Sequence, residues 1–305
     1  MADPFKPTAP PMREALPMTD IAAAAQFVHG HGRLLERRRF DHLFGPTPDA
    51  GAVLRALDAY RNADGGVGFL EPDLRTPASQ PSAVLYAFEV LDEVGETPRA
   101  FTHGALDWLQ TVTNPDGGVP FVLPTAQGWP HAPWWAPTED PPSSLLMTAG
   151  VASVAHRLHL EDHPWVAKAD DYLWEALGSL SLSDPYAFRY AVHFLDAVPD
   201  RDRATTHLDQ LRERLPEDGR LTVEAGTEGE TLSALEVAPR PGHAGAVLFP
   251  QALIEQQLDE LQQAQQPDGG WDFSWAAWNP AVAFEWRGMV TLDALTTLRA
   301  YGRLD

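Results

Sequence analysis

The sequence contains no cysteine, and basic residues are scarce. Without thiols the chain has no disulfide, no thiolate zinc site and no cysteine nucleophile. Only 22 Lys and Arg stand against 43 Asp and Glu among 305 residues, giving a formal net charge of −21. The one basic cluster, Arg37 to Arg39, is typical of a solvated helix end. Because a nucleic-acid-binding surface needs a basic face, nucleic acid is excluded as a partner.

Long apolar runs are absent as well. The longest stretch without formal charge, residues 117–138, holds five prolines and is excluded as a transmembrane helix. Residues 1–17 also carry five prolines and no apolar core segment, so no secretory signal is indicated. We expect residues 1–18 to form a flexible arm and the protein to be cytoplasmic.

What the chain does contain is an internal repeat built on Asp-Gly-Gly. The motif occurs at Asp64, Asp116 and Asp268, and a shorter Asp-Gly version occurs at Asp218. The separations are 52, 102 and 50 residues, so one period of about 51 with one missing copy fits all four. Six such units account for the whole chain. In each copy the glycines permit a backbone turn with positive φ at the end of a helix.

Two kinds of helix alternate with this period. Segments 48–62, 98–112, 164–178, 200–215 and 250–266 have one apolar stripe and one charged face, as exposed helices do. Segments 82–91 and 145–155 are apolar almost all round, which predicts burial on every side, and we place 184–198 and 285–301 with them. The pattern predicts an all-α fold, an (α/α)6-type toroid of about 10–12 helices in two concentric layers, spanning residues 19–305 as one domain.

Two features depart from the regular pattern. Residues 221–250 are rich in Gly and Pro where an inner helix is due, so we expect this repeat to be degraded, with only 230–237 helical. The loops 63–79 and 113–142 are long for a compact helical domain, and long loops of this kind are often functional.

These residues resemble a known superfamily. Gln265 to Trp271 looks like the QW motif of squalene–hopene cyclases and related terpene cyclases. Asp64-Gly-Gly, followed by Gln80-Pro-Ser-Ala-Val84, is similar to the corresponding region of protein prenyltransferase β-subunits. The resemblance covers the chain as a repeat pattern. It implies a compact single-toroid relative whose ligand lies in the barrel mouth, among the N-termini of the inner helices and the loops before them.

The resemblance does not transfer a mechanism residue by residue. Class II terpene cyclases carry an Asp-x-Asp-Asp acid, and this sequence has no such tetrapeptide. Protein prenyltransferases bind zinc through a set that includes cysteine, which is absent here. QW motifs themselves are structural braces between outer helices.

The resemblance therefore places the candidate residues at the mouth. The catalytic candidates are four acids, Asp73, Glu139, Asp140 and Glu285. A carboxyl held against aromatic surface has a raised pKa, as a general acid requires. Simpler explanations remain open: a loop salt bridge between the acid at 73 and Arg75, or helix capping by the acids at 140 and 285. The substrate-binding candidates are Arg75, Gln80, Trp134, Trp135, Tyr186, Arg189, Tyr190, Trp271, Trp275 and Arg287.

Two groups of these candidates are supported by the chemistry or the spacing of their side chains. The tryptophans, in Pro-rich or C-terminal loops, suit a hydrophobic lid or a cation-stabilising wall. Tyr186, Arg189 and Tyr190 share one helical face with His193, and form a ligand-contacting stripe if that face points inward. Asp184 before Pro185 is explained by helix capping alone.

Other chemistries find no support. The histidines at 156, 159 and 163 lack zinc-type ligand spacing, and the Asp-Gly-Gly turns lack the Lys and strand of a phosphate-binding loop. No metal or other cofactor is predicted.

Three functions remain open. The first is a terpene-cyclase-like enzyme that protonates and cyclises a hydrophobic isoprenoid or polyene with a carboxylic acid. The second is a non-catalytic toroid that holds a hydrophobic ligand or a protein segment. The third is a carbohydrate-active toroid with paired carboxylates.

Overall fold

A computed structural model describes residues 18–224 and 226–304. The predicted arm of residues 1–18 lies, apart from Met18, outside the described residues. The described part contains twelve α-helices and one short hairpin. The elements are α1 (Ile21–His31), α2 (Leu34–Phe44), α3 (Ala50–Asp58), α4 (Pro81–Val94), α5 (Arg99–Val112), α6 (Leu145–Arg157), α7 (Pro164–Ala176), α8 (Pro185–Ala197), α9 (Arg201–Arg212), β1 (Leu221–Thr222), β2 (Thr231–Leu232), α10 (Ala234–Val237), α11 (Gln251–Gln263) and α12 (Pro280–Ala300).

The helices form the predicted two-layered toroid. The even-numbered helices make the inner layer: α2 packs on α4, α4 on α6, α6 on α8, α8 on α10, and α12 on α2. The odd-numbered helices lie outside. The sequence difference explains the layers, since α4 is buried on all sides from Ser82 to Leu91 whereas α11 buries only Ile254, Gln257 and Leu258. The prediction of an all-α toroid is confirmed.

The Asp-Gly-Gly turns join the two layers. At the first turn, Asp64 Oδ1 accepts hydrogen bonds from the Gly66 N–H (3.0 Å) and the Ser79 hydroxyl (2.8 Å), just before α4. Gly65 has φ +93°, and a Cβ there would lie 2.6 Å from the Gly104 carbonyl oxygen on α5. Glycine is therefore required twice over, by backbone conformation and by the close approach of the next outer helix.

The last turn closes the ring. Gln265 exchanges two hydrogen bonds of 2.8 Å with the backbone N–H and C=O of Asp20, which caps α1. Gly269 (φ +92°) packs directly against Ala23. Trp271 Nε1 donates to the Leu261 carbonyl oxygen of α11 at 2.8 Å. The C-terminal repeat thus contacts the N-terminal helix through the same motif that joins its other neighbours.

The degraded repeat is present where the sequence predicts it. Between α9 and α11 the chain forms the β1–β2 hairpin, the four-residue α10 and a 3-10 segment, Ala244–Leu248. Ser233 and Glu236 form a capping box that starts α10. The Tyr301 hydroxyl donates to the Ala238 carbonyl oxygen at 2.8 Å, so α12 closes the inner layer across the shortened unit. Among the described residues, no helix is long and apolar enough to cross a membrane.

Candidate active site at the mouth of the toroid

The two long loops meet at the end of the ring where α4 and α6 begin. The Arg75 N–H donates to the Pro130 carbonyl oxygen (2.9 Å), and the Ala132 N–H donates to the Asp73 carbonyl oxygen (2.8 Å). Gln80, just before α4, also binds the second loop. Its Oε1 accepts a hydrogen bond from the Leu123 N–H and its Nε2 donates one to the Thr125 hydroxyl oxygen, both at 2.9 Å. These contacts fix the residues of the first loop beneath the second.

Asp73 is held among tryptophans. Its side chain is almost fully enclosed, with 2% of the residue exposed. The indole N–H groups of Trp286 and Trp134 donate to its two carboxyl oxygens at 3.0 and 3.2 Å. Burial raises the pKa of Asp73, and the two indole hydrogen bonds offset part of that effect by stabilising the anion.

Glu71 lies beside Asp73 and is the acid that the sequence reasoning did not select. Its Oε1 accepts the Asp73 N–H at 3.2 Å. Burial, and secondarily the negative charge of Asp73, raise the pKa of Glu71 to about 8. A carboxyl in this state keeps its proton at neutral pH. The signal that was available is the Glu-Pro-Asp spacing, which brings two carboxyls together in one turn.

An ion pair and a further indole complete this group. Arg75 Nη2 lies 2.6 Å from Glu285 Oε2, which joins the first loop to α12. Trp275 meets Trp286 edge to face with the ring centroids 5.1 Å apart. The structure therefore brings together five predicted residues. They are Asp73, Arg75, Trp134, Trp275 and Glu285.

Charged side chains continue inward from the mouth. Arg33 donates two hydrogen bonds of 2.8 and 2.9 Å to Glu36, whose Oε1 also accepts from the Tyr86 hydroxyl at 2.8 Å. Arg39 binds both oxygens of Glu93 at 2.6 and 2.9 Å and the Tyr86 oxygen at 2.7 Å. Burial alone would raise the pKa of Glu36, but the charge of Arg33 and its hydrogen bonds hold it below its usual value.

Part of the predicted stripe on α8 contacts another inner helix. The Tyr190 hydroxyl donates to Glu89 on α4 at 3.0 Å, across the ring. Asp293 on α12 lies within Coulombic range of Arg39, Arg189, Glu93 and Glu89, which belong to α2, α8 and α4. Burial between these helices raises the pKa of Asp293 to about 6, although its side chain is 64% accessible. Its carboxyl therefore lies at an accessible point among charged side chains from three other inner helices.

The remaining predicted residues lie elsewhere. Trp135 is buried and stacks on Phe121 with centroids 4.2 Å apart. The Tyr186 hydroxyl donates to Glu230 at 2.7 Å. Arg287 binds both oxygens of Asp268 at 2.7 and 2.8 Å, beside Trp271 in the last Asp-Gly-Gly turn. Glu139 and Asp140 are exposed on the second loop.

The fold and the mouth define a class: an all-α double-layered toroid with two neighbouring acids at one end, one of which, Asp73, is buried and bonded to two tryptophans. No protein-family model matches the chain, and no curated protein matches its sequence. Among solved structures it is similar to a protein from Actinoplanes, at 16% identity and a TM-score of 0.54, over 93% of this chain and 100% of that one.

It is also similar to the type II terpene cyclase MstE from Scytonema, solved with its substrate geranylgeranyl dihydroxybenzoate. The identity is 14% and the TM-score 0.51, over 96% of this chain and 91% of that one. At such identities the likeness establishes a shared fold, that of the terpene cyclases, and leaves the residues of the site to be judged on their own geometry.

Proposed function

We propose that this protein is a terpene-cyclase-like enzyme in which Glu71 donates a proton to an isoprenoid-type substrate. The observation that carries the proposal is the half-buried Glu71 side chain, which accepts the Asp73 N–H at 3.2 Å and whose pKa is raised to about 8. Of the two neighbouring acids, Asp73 accepts two indole N–H groups and Glu71 accepts one backbone N–H. The anion is therefore better stabilised on Asp73, and the shared proton resides on Glu71.

The proposed chemistry is an isomerisation. The O–H bond of Glu71 breaks as a C–H bond forms at a double bond, or as an epoxide oxygen takes the proton. The resulting cation is attacked by the π electrons of a second double bond, which closes a ring. Loss of a proton from the last cation restores neutrality, so the product has the composition of the substrate.

The surroundings of Glu71 suit a developing positive charge. A group that holds its proton up to about pH 8 is a weak acid, so the transition state must be stabilised strongly. The Asp73 carboxylate supplies a fixed negative charge, and Trp275 and Trp286 supply aromatic surface at the same point. Arg75 and Glu285 form an ion pair that positions the loop, so we assign Glu285 a positioning role and not that of the acid.

The substrate class rests on one further support. The solved neighbour MstE, of the same fold, binds a geranylgeranyl compound. An isoprenoid chain offers the trisubstituted double bonds that give tertiary cations. A hydrophobic small molecule is accordingly the proposed partner.

The test is turnover of a panel of polyprenyl alcohols, diphosphates, epoxides and polyprenyl-substituted aromatic acids, analysed by mass spectrometry for products of unchanged mass. We expect Glu71→Gln to lower the rate by at least about 10³-fold, because the proton donor is lost. Asp73→Asn should follow with a smaller loss. The exposed acids provide matched controls, and Glu139→Gln and Asp140→Asn should retain activity.

The pH profile separates this role from a structural one. Activity requires the protonated Glu71, so the rate should fall as pH rises through about 8. Binding of a polyene without turnover would favour the non-catalytic toroid, and turnover of glycosides would favour the carbohydrate-active reading. An active Glu71→Gln variant would refute the assignment of the acid.

A further inference from the structure

A third tryptophan lies beside the Asp73 carboxyl without completing a hydrogen bond. Trp286 and Trp134 each donate to one oxygen of Asp73, at 3.0 and 3.2 Å. Trp278 Nε1 is also buried, and it makes no hydrogen bond among the described residues. An indole N–H is a donor only, so no change of tautomer can satisfy it. A buried donor without an acceptor is costly, and its surroundings should show which acceptor it serves.

Asp73 is the acceptor within reach of Trp278. Burial raises the pKa of Asp73, and the indole N–H groups around it lower that pKa. These groups belong, in decreasing order of effect, to Trp286, Trp134 and Trp278. A carboxylate has about four acceptor positions on its two oxygens, and the two bonded indoles leave the others open. The backbone also holds Trp278 near this point, since it directly precedes Asn279, whose side chain caps the helix that carries Trp286.

We propose that Trp278 is a positioning residue that donates a third indole hydrogen bond to the ionised Asp73 carboxylate and so keeps the proton of the mouth on Glu71. Trp278 acts through Asp73 and not on the substrate. Hydrogen bonds from N–H groups favour the charged form of a carboxyl, so each donor that Asp73 gains leaves the proton with its neighbour. The inference rests on the proposed function only for the use that is made of that proton.

Charged groups from four segments surround the two acids. They are Arg33 before α2, Arg75 on the loop of the acids, Glu89 on α4 and Glu285 on α12. Replacing an indole by a phenyl ring changes none of these charges. Trp278→Phe also keeps an aromatic ring against the core on which Trp278 packs. A change in the proton affinity of Asp73 in this variant is therefore attributable to the lost N–H.

The test is NMR titration of the full chain, which requires no substrate. The side-chain carboxyl carbon of Asp73 reports its ionisation, and the Nε1–H resonance of Trp278 reports its hydrogen bond. In the unaltered protein we expect the Trp278 resonance to move downfield as Asp73 loses its proton, with the same midpoint as the resonances of Trp134 and Trp286. In Asp73→Asn this movement should disappear. A Trp278 resonance that stays constant through the titration of Asp73 would overturn the proposal, and this measurement needs no variant to fold.

The variant gives the size of the effect. Trp278→Phe should raise the titration midpoint of Asp73 by about one pH unit, a tenfold change in proton affinity, because one donor to the anion is lost. Trp134→Phe removes a formed hydrogen bond of 3.2 Å and should give a shift of similar size. The matched control is Trp174→Phe on α7, where the ring lies 4.2 Å from the guanidinium carbon of Arg203, and it should leave the midpoint unchanged. An Asp73 midpoint that Trp278→Phe does not move would also refute the role.

The outcome is independent of catalysis. If Trp278→Phe shifts the Asp73 midpoint but no isoprenoid is turned over, the positioning role stands and the proposed function fails. If turnover depends on Glu71 but Trp278→Phe leaves both the midpoint and kcat unchanged, the proposed function stands and the positioning role fails. Where both hold, Trp278→Phe should lower kcat and leave KM unchanged, since less of the protein carries its proton on Glu71.

Discussion

The acids of the Asp-Gly-Gly turns and the acids of the mouth contrast in their hydrogen bonding. Asp116 Oδ1 accepts from the Gly118 N–H at 3.1 Å and the Ser143 hydroxyl at 2.6 Å. Asp268 binds Arg287 through both oxygens, and these hydrogen bonds lower its pKa. Glu71 instead accepts a single backbone N–H in an enclosed place, where burial raises its pKa. A carboxyl group is therefore a structural hydrogen-bond acceptor in the turns, whereas at the mouth it retains its proton.

The difference shows what each region contributes. In the Asp-Gly-Gly turns, each acid accepts hydrogen bonds from nearby N–H, hydroxyl or guanidinium groups, and these bonds stabilise the fold. The mouth holds two neighbouring acids whose pKa values are both raised by burial, an arrangement that costs stability and is typical of catalytic sites. Three pairs of substitutions, in order of decreasing effect, test this contrast.

The largest effect is expected at the turn that closes the ring. Gly269→Ala must place a Cβ against Ala23 at φ +92°, and we expect a loss of about 2–4 kcal/mol in the free energy of unfolding. Gly95→Ala is the matched control, since Gly95 has φ +69° and open space around its Cβ. It should cost about 1 kcal/mol. Urea unfolding of both variants gives the comparison, and equal losses would show that the contact with α1 is not tight.

Neutralising an acid should change the free energy of unfolding in opposite directions in the two regions. Asp116→Ala removes two hydrogen bonds of a brace and should destabilise the fold by about 1–2 kcal/mol at any pH from 6 to 9. Glu71→Gln should stabilise it by about 1–3 kcal/mol at pH 9 and change little at pH 4.5.

The sign for Glu71 follows from proton binding. Its pKa is raised from 4.5 to about 8 in the folded state, so between these values the folded protein holds a proton that the unfolded chain releases. Stability contributed by that proton is complete below pH 4.5 and is lost as pH rises towards 8. Thermal melting of both variants and the parent from pH 4.5 to 9 measures how the stability difference of each variant changes with pH. A Glu71→Gln variant that melts below the parent at pH 9 would show that Glu71 stabilises the fold, as the acids of the turns do.

The repeat and the toroid were predictable because their chemistry is local. The first two Asp-Gly-Gly turns form hydrogen bonds within themselves and to a Ser that follows 15 or 27 residues later, and the apolar pattern of each helix predicts its layer. The stripe on α8 was predictable for the same reason, since i, i+4 spacing alone places Arg189 and His193 on one helical face.

The site was only partly predictable because it joins distant segments. Asp73 and Trp286 are 213 positions apart, and no local pattern links them. The raised pKa of Glu71 depends on burial in the folded chain, which no local sequence pattern predicts. Sequence reasoning therefore selected Asp73 and not its neighbour, although both belong to one Glu-Pro-Asp turn.

The smallest effect is expected for the acids of the second loop. Glu139 and Asp140 are exposed, so solvent stabilises their anions and neither is enclosed as Glu71 is. We expect Glu139→Gln and Asp140→Asn to change the free energy of unfolding by less than about 0.5 kcal/mol and to leave kcat unchanged. Steady-state kinetics on the first substrate identified would check this. A large fall in kcat for either variant, with unfolding unaffected, would mean that the second loop moves over the mouth and brings its own acid to the substrate.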